Sequence, residues 1–316
     1  RPRALFERFN IEAISTTESA LDDLRWHEMI RASGWGGKVI TAYRPDAVVD
    51  PEFDGFTANV EELGALTGEN TSSWTGYLAA HRKRRAFFKS YGATSSDHGH
   101  PTARTEDLPQ ADAAQLFDKA LRGACTPDEA DAFRGHMLTE MARMSLEDGL
   151  VLQIHPGSAR NHSNDVMARF GRDKGFDIPT RTDYVHALKP LLNAVGGEPD
   201  LTIILFTLDE TSYARELAPL AGVYPALRLG PPWWFHDSYE GMMRFREMAT
   251  ETAGFYNTVG FNDDTRAFCS IPARHDVARR VDCTFLANLV ATGRLDENEA
   301  SEVAHDLTYR LAKQAY

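Results

Sequence analysis

Cysteine is scarce in this chain: Cys125, Cys269 and Cys283 are the whole complement, an odd number with no framework spacing. That excludes a small disulfide-stapled scaffold and fits a reducing compartment, with the three thiols read as packing residues. Long apolar runs are missing too. The longest, around Ile203-Ile204-Leu205-Phe206, falls far short of the roughly 20 residues that span a bilayer, which excludes membrane insertion. No low-complexity tract or long linker interrupts the chain, and no glycine fingerprint follows the first apolar run, where Ile14-Ser15-Thr16-Thr17-Glu18 stands. A dinucleotide-binding open sheet needs such a fingerprint at that place. The chain opens on Arg1-Pro2-Arg3, with neither Met nor the charged-then-apolar pattern of a targeting segment, so a section upstream of this N-terminus is expected.

With 316 residues, 42% apolar and 25% charged, the chain can bury a substantial core as one large α/β domain or two smaller ones. A net charge of −12 repels nucleic acid, and the one basic cluster, His81-Arg82-Lys83-Arg84-Arg85, reads as a solvated helix face. Seven runs of apolar and β-branched residues read as strands: 11–17, 38–43, 91–96, 150–155, 201–208, 226–229 and 257–261. Helical patterns separate them. Thr126-Pro127-Asp128-Glu129 is a capping box with Pro in the first turn, and Asp296 with Glu299 gives a similar start signal. Strand and helix in alternation imply a parallel sheet covered by helices.

Polar residues cluster at the C-terminal ends of the predicted strands. Arg44 follows the second run, Asp97 the third, His155 ends the fourth, and Asp264 with Arg266 follows the seventh. Side chains from different strands meet at that end of a TIM barrel, so a barrel is favoured over an open sheet. Asp264 and Arg266, two residues apart, are expected to share a face, where a carboxylate can hold a cation or proton and a guanidinium an anion. Taken singly, each Arg also fits a structural ion pair, and Asp97 also fits a helix N-cap.

Several further motifs run in order along the whole chain. They are Phe9-Asn10-Ile11-Glu12, Thr16-Thr17, Leu21-Asp22-Asp23-Leu24 with His27, Arg44-Pro45-Asp46, Asp97-His98-Gly99, Gln153-Ile154-His155 with Arg160-Asn161, Trp233-Trp234-Phe235, and Asp264-Thr265-Arg266 followed by Arg274-His275 and Arg279-Arg280. Together they resemble the uronate isomerases of the amidohydrolase superfamily. The resemblance implies a (β/α)8 TIM barrel, of which residues 1–316 are a single metal-dependent-hydrolase-like domain containing strands 2–8, the first strand and N-terminal region being absent. It implies aldose–ketose isomerisation of hexuronates, D-glucuronate to D-fructuronate and D-galacturonate to D-tagaturonate.

By the same resemblance, Asp264, Arg266 and His155 are the expected catalytic residues, and Arg44, Arg160 and Asp97 the substrate-binding ones. One divalent metal, zinc by expectation, is held by Asp264 and by a His-x-His pair upstream of this chain. His98-Gly99-His100 has that spacing as well, but it falls within the segment whose carried-over residue is Asp97. Pro156, Ser158 and His236 depart from the family pattern, which touches substrate preference rather than reaction class. Expected partners are a small hexuronate and, as a general prior for soluble enzymes, further copies of the chain in a homo-oligomer. Acidic charge and reduced thiols point to the cytoplasm. Two rivals stand beside this reading: a metal-dependent lactonase of the same superfamily, and an inactive sugar-acid binder.

Overall fold

The computed structural model describes residues 1–265 and 267–316, so Arg266 lies outside the described residues. Four parallel strands come first: β1 (Ala13–Ser19), β2 (Lys38–Arg44), β3 (Ser95–His98) and β4 (Val151–Ile154). A short antiparallel pair, β5 (Ser158–Ala159) and β6 (Ile178–Pro179), follows β4, and the main sheet resumes with β7 (Ile203–Leu205) and β8 (Leu227–Leu229). Neighbours in the six-stranded sheet follow chain order, β1-β2-β3-β4-β7-β8, without reversal. A doubly wound open sheet reverses direction at its switch point; a (β/α)8 barrel does not, and this α/β chain winds as the barrel does.

The seventh expected strand is reduced to one bridge, Leu229 with Thr258, although Val259 N–H still donates to Leu229 O at 3.0 Å. Gly260 ends the extended run at φ +69°. The third strand starts later than expected, at Ser95, because the helix Trp74–Ser90 continues to its doorstep and Gly92 turns the chain at φ +92°.

Alternation along the strands sorts side chains into two cores. Leu152 and Ile154 of β4, with Ile203 and Leu205 of β7, face the helix layer and pack in the main cluster with Phe133, Met137 and Phe88. Val151, Ile204 and Phe206 face the other way and meet Trp233, Val259 and the partly buried Tyr316 inside the curl of the sheet. This inner cluster is the floor on which the site stands. Among the described residues no helix is long and apolar enough to cross a membrane.

Both helix starts form as their sequences require: Thr126 and Glu129 close one capping box, Asp296 and Glu299 another. Two expectations fail. The basic cluster is not a solvated face, since His81 and Arg85 are wholly buried and Arg84 nearly so, leaving only Arg82 and Lys83 outside. Arg85 is neutralised by Asp148 at 2.6 and 2.9 Å and also donates to Ser145 Oγ, while Arg84 donates to the backbone carbonyls of Ala20 and Asp22. Charge composition cannot announce partners that lie some sixty residues away in sequence. Nor are all the cysteines packing residues: Cys125, half-buried, packs against the main core, but Cys269 and Cys283 are exposed.

Candidate active site

Register brings the site together. Asp97 lies opposite Gln153 in the β3–β4 pairing, and the ladder runs one residue further, with His155 N–H donating to His98 O at 2.8 Å. Arg44 ends β2 beside β3. Three consecutive strands thus deliver Arg44, Asp97 and His155 to one rim.

Asp97 is the hub. Its Oδ2 accepts from Arg44 Nη1 at 2.9 Å, and its Oδ1 lies 2.7 Å from His155 Nδ1, a charge contact set off the straight hydrogen-bond line. Burial alone would push this carboxyl up, but His155 and Arg44 hold it well below the usual carboxylate range. Two acceptors would not approach so closely, so His155 carries its proton on Nδ1 and turns Nε2 outward. The imidazole is clamped flat on Phe206, with 4.2 Å between ring centres and 7° between planes, and edge-on to Trp233 at 4.9 Å.

Arg44 is shared. Nε donates to Asp46 Oδ2 at 2.7 Å, while among the described residues no hydrogen bond involves Nη2. Burial opposes its charge, yet Asp46, Asp97 and Asp264 together raise its pKa above the ordinary value. Gly99 is required beneath it: a Cβ there would meet Arg44 Nη2 at 1.9 Å. Asp264 lies within electrostatic reach of Arg44 and is itself exposed.

Arg160 stands further out. It is held over the Trp234 ring at 5.4 Å and lies 3.6 Å from Asp177, while Trp234 leans on Trp233 and Trp233 meets His155 edge-on. The β5–β6 hairpin carries it. Gly157, at φ +88° and where a Cβ would meet Thr182 Oγ1 at 2.4 Å, lets the chain turn into that hairpin. Arg274, a neighbour of the Asp264 motif, is bonded to Asp263 and, at 2.6 Å, to Asp237, so it braces the loop.

The sequence reading placed Trp233 in the wall of the site, where it meets His155, but gave no site role to Asp46, Phe206 or Tyr316. Tyr316 donates to Gln153 Oε1 at 2.5 Å and accepts from Asn262 Nδ2 at 3.4 Å, tying the loop of Asp264 to β4 below the hub. The spacing of Arg44-Pro45-Asp46 is a signal that could have found Asp46. Nothing in the sequence marks Tyr316.

Metal-capable donors gather elsewhere. Among the described residues one group of three, Asp46, His98 and His100, has ligand atoms within 4.8 Å of one another. Asp264 stands outside it, with a carboxylate chemically suited to a hard or borderline divalent ion but with its expected histidine partners upstream of Arg1.

Comparison with known proteins bears on all of this. The sequence model of the glucuronate isomerase family matches residues 1–316. A uronate isomerase of Rhizobium meliloti (strain 1021) is 74% identical over the whole chain, which spans 67% of that protein. The crystal structure of a glucuronate isomerase from Caulobacter crescentus superposes with a TM-score of 0.97 at 64% identity, covering 100% of this chain and 66% of that one. A uronate isomerase structure from Thermotoga maritima gives 0.93 at 28% identity, covering 100% and 70% respectively. The chain therefore spans about two thirds of the length of its relatives.

Proposed function

The chain belongs to the glucuronate isomerase family, and on that footing we propose that it isomerises hexuronates, D-glucuronate to D-fructuronate and D-galacturonate to D-tagaturonate. The single observation that carries the reading is Asp97, one buried carboxylate touching both an anion-binding guanidinium and a clamped imidazole.

The reaction removes the C2 proton next to the C1 carbonyl, spreads charge over O1 and O2 as an enediolate, returns a proton to C1, and moves the O2 hydroxyl proton to O1 as O2 becomes the carbonyl. Arg44, with Arg160 at the outer edge, receives the substrate carboxylate; a guanidinium fork matches it bidentately. His155, its Nδ1 proton held by Asp97, presents the Nε2 lone pair to the O2 hydroxyl, takes up that proton and passes it to O1. Asp264 carries the proton between the two carbons, and Arg266 completes the catalytic set by family correspondence. A divalent metal, zinc by expectation, would be held by Asp264 with histidines upstream of Arg1, and when bound supplies positive charge against the enediolate oxygens. Residues 1–316 are read as strands 2–8 of one barrel domain, in a cytoplasmic homo-oligomer serving sugar-acid catabolism.

The test is incubation of the enzyme, expressed from its complete coding sequence, with D-glucuronate and D-galacturonate while ketose is followed. Ketose formation, reduced about a hundredfold or more by Asp264→Asn with the melting temperature kept, is the expected result. Opening of a sugar lactone without aldose–ketose exchange would instead select the hydrolase.

A further inference from the structure

Behind the rim lies a second set of donors that the isomerisation does not use. Adjacent residues of a strand face opposite ways, so His98 projects from the side of β3 opposite Asp97, toward Asp46 and His100. His98 and His100 are 0% and 4% exposed, and His98 Nδ1 and His100 Nε2 have no hydrogen-bond partner among the described residues. Buried ring nitrogens left unpaired are costly, and a native fold seldom keeps two of them side by side without a reason. The other nitrogen of His98 lies 3.4 Å from Ser96 Oγ, the kind of outer contact that orients a ligating imidazole. Two imidazoles and a carboxylate make a donor set for zinc or a similar first-row divalent ion.

We propose that Asp46, His98 and His100 form a second divalent-cation site, distinct from the one expected at Asp264. Asp46 is already engaged: Oδ2 accepts from Arg44 Nε at 2.7 Å, and both oxygens lie within 3.3 Å of Gly99 N. A cation here takes a carboxylate oxygen away from Arg44, whose guanidinium is pressed against Gly99 and must shift. Filling the site therefore loosens the grip on the substrate carboxylate and inhibits the enzyme. That consequence rests on the substrate-binding role given to Arg44, whereas the site itself does not.

Co(II) is the probe, added stepwise to the enzyme from its complete coding sequence while bound metal, visible absorption and kinetics are followed. Expected is a second equivalent per chain with its own ligand-field band, and a KM that rises several-fold as it binds while kcat is kept. In His100→Asn the second equivalent and the rise in KM are both lost and the first equivalent is retained. Uptake by the wild type that stops at one equivalent overturns the site, however well the variant folds. A second equivalent undiminished in a folded His100→Asn does the same. Binding of the second equivalent without a change in KM overturns the coupling to Arg44 alone. Absence of isomerase activity would refute the functional reading, and the metal count would still decide the site.

Discussion

Asp97 joins two cationic groups through its two oxygens, and replacing it separates fold from function. Asp97→Asn keeps the shape but leaves Arg44 and His155 facing a neutral amide. Turnover is expected to fall by about a hundredfold or more, and stability by about 3–5 kcal/mol, as for a broken buried pair; steady-state kinetics and denaturant unfolding measure the two. The sign of the pH effect follows from the lowered Asp97 pKa. Its contribution is complete above the unfolded-state value of about 4 and is lost only as pH falls below it, so acid unfolding of the wild type should be steeper there than that of Asp97→Asn. Gly99→Ala is the companion test. A methyl at that position collides with Arg44 Nη2, so KM should rise about tenfold or more, and kcat should fall with it because Arg44 and His155 share Asp97. At this scale the sequence was readable where strand ends met family motifs: Arg44, Asp97 and His155 were named and do converge. Asp46 was quoted in its motif but given no role, and Phe206 was not named, because a contact partner on another strand leaves no periodic trace.

Among the elements, the helix Trp74–Ser90 carries the sharpest expectations. His81 accepts or donates to Tyr43 OH at 2.7 Å and is pushed by burial down to about 3. A histidine kept neutral in the fold but ordinary when unfolded contributes stability above the unfolded value of about 6.5 and loses it as pH falls from there toward the folded value. Between those limits His81→Gln should show a pH slope of stability shallower by about 1.4 kcal/mol per pH unit, read from denaturant midpoints at stepped pH. Arg85→Met strands Asp148 and should destabilise by about 3–5 kcal/mol, while Arg85→Met with Asp148→Leu should recover much of it. Capping boxes and most strand cores were legible, since both are local patterns. The buried face of this helix was not, because alternation of charge and aromatics looks the same whether the charges meet water or a distant carboxylate.

For the whole molecule, winding order was the legible part: strand after strand with helices between leaves few topologies besides a barrel. What could not be read was closure. β1 pairs with β2 on one side, and among the described residues no strand pairs with its other side; it is seven residues long with alternate positions exposed. In the enzyme from its complete coding sequence the amides of β1 should be as well protected from hydrogen exchange as those of β2, and loop-like exchange along β1 would count against a closed barrel. The pairing at Asp97 has a last consequence, for redesign. Because one acid anchors both the group that recognises the substrate's charge and the group that handles its carbonyl, retuning the enzyme toward an uncharged sugar by replacing Arg44 would also reset His155. Selectivity and reactivity are mechanically yoked here, and variants that change one should be sought as pairs.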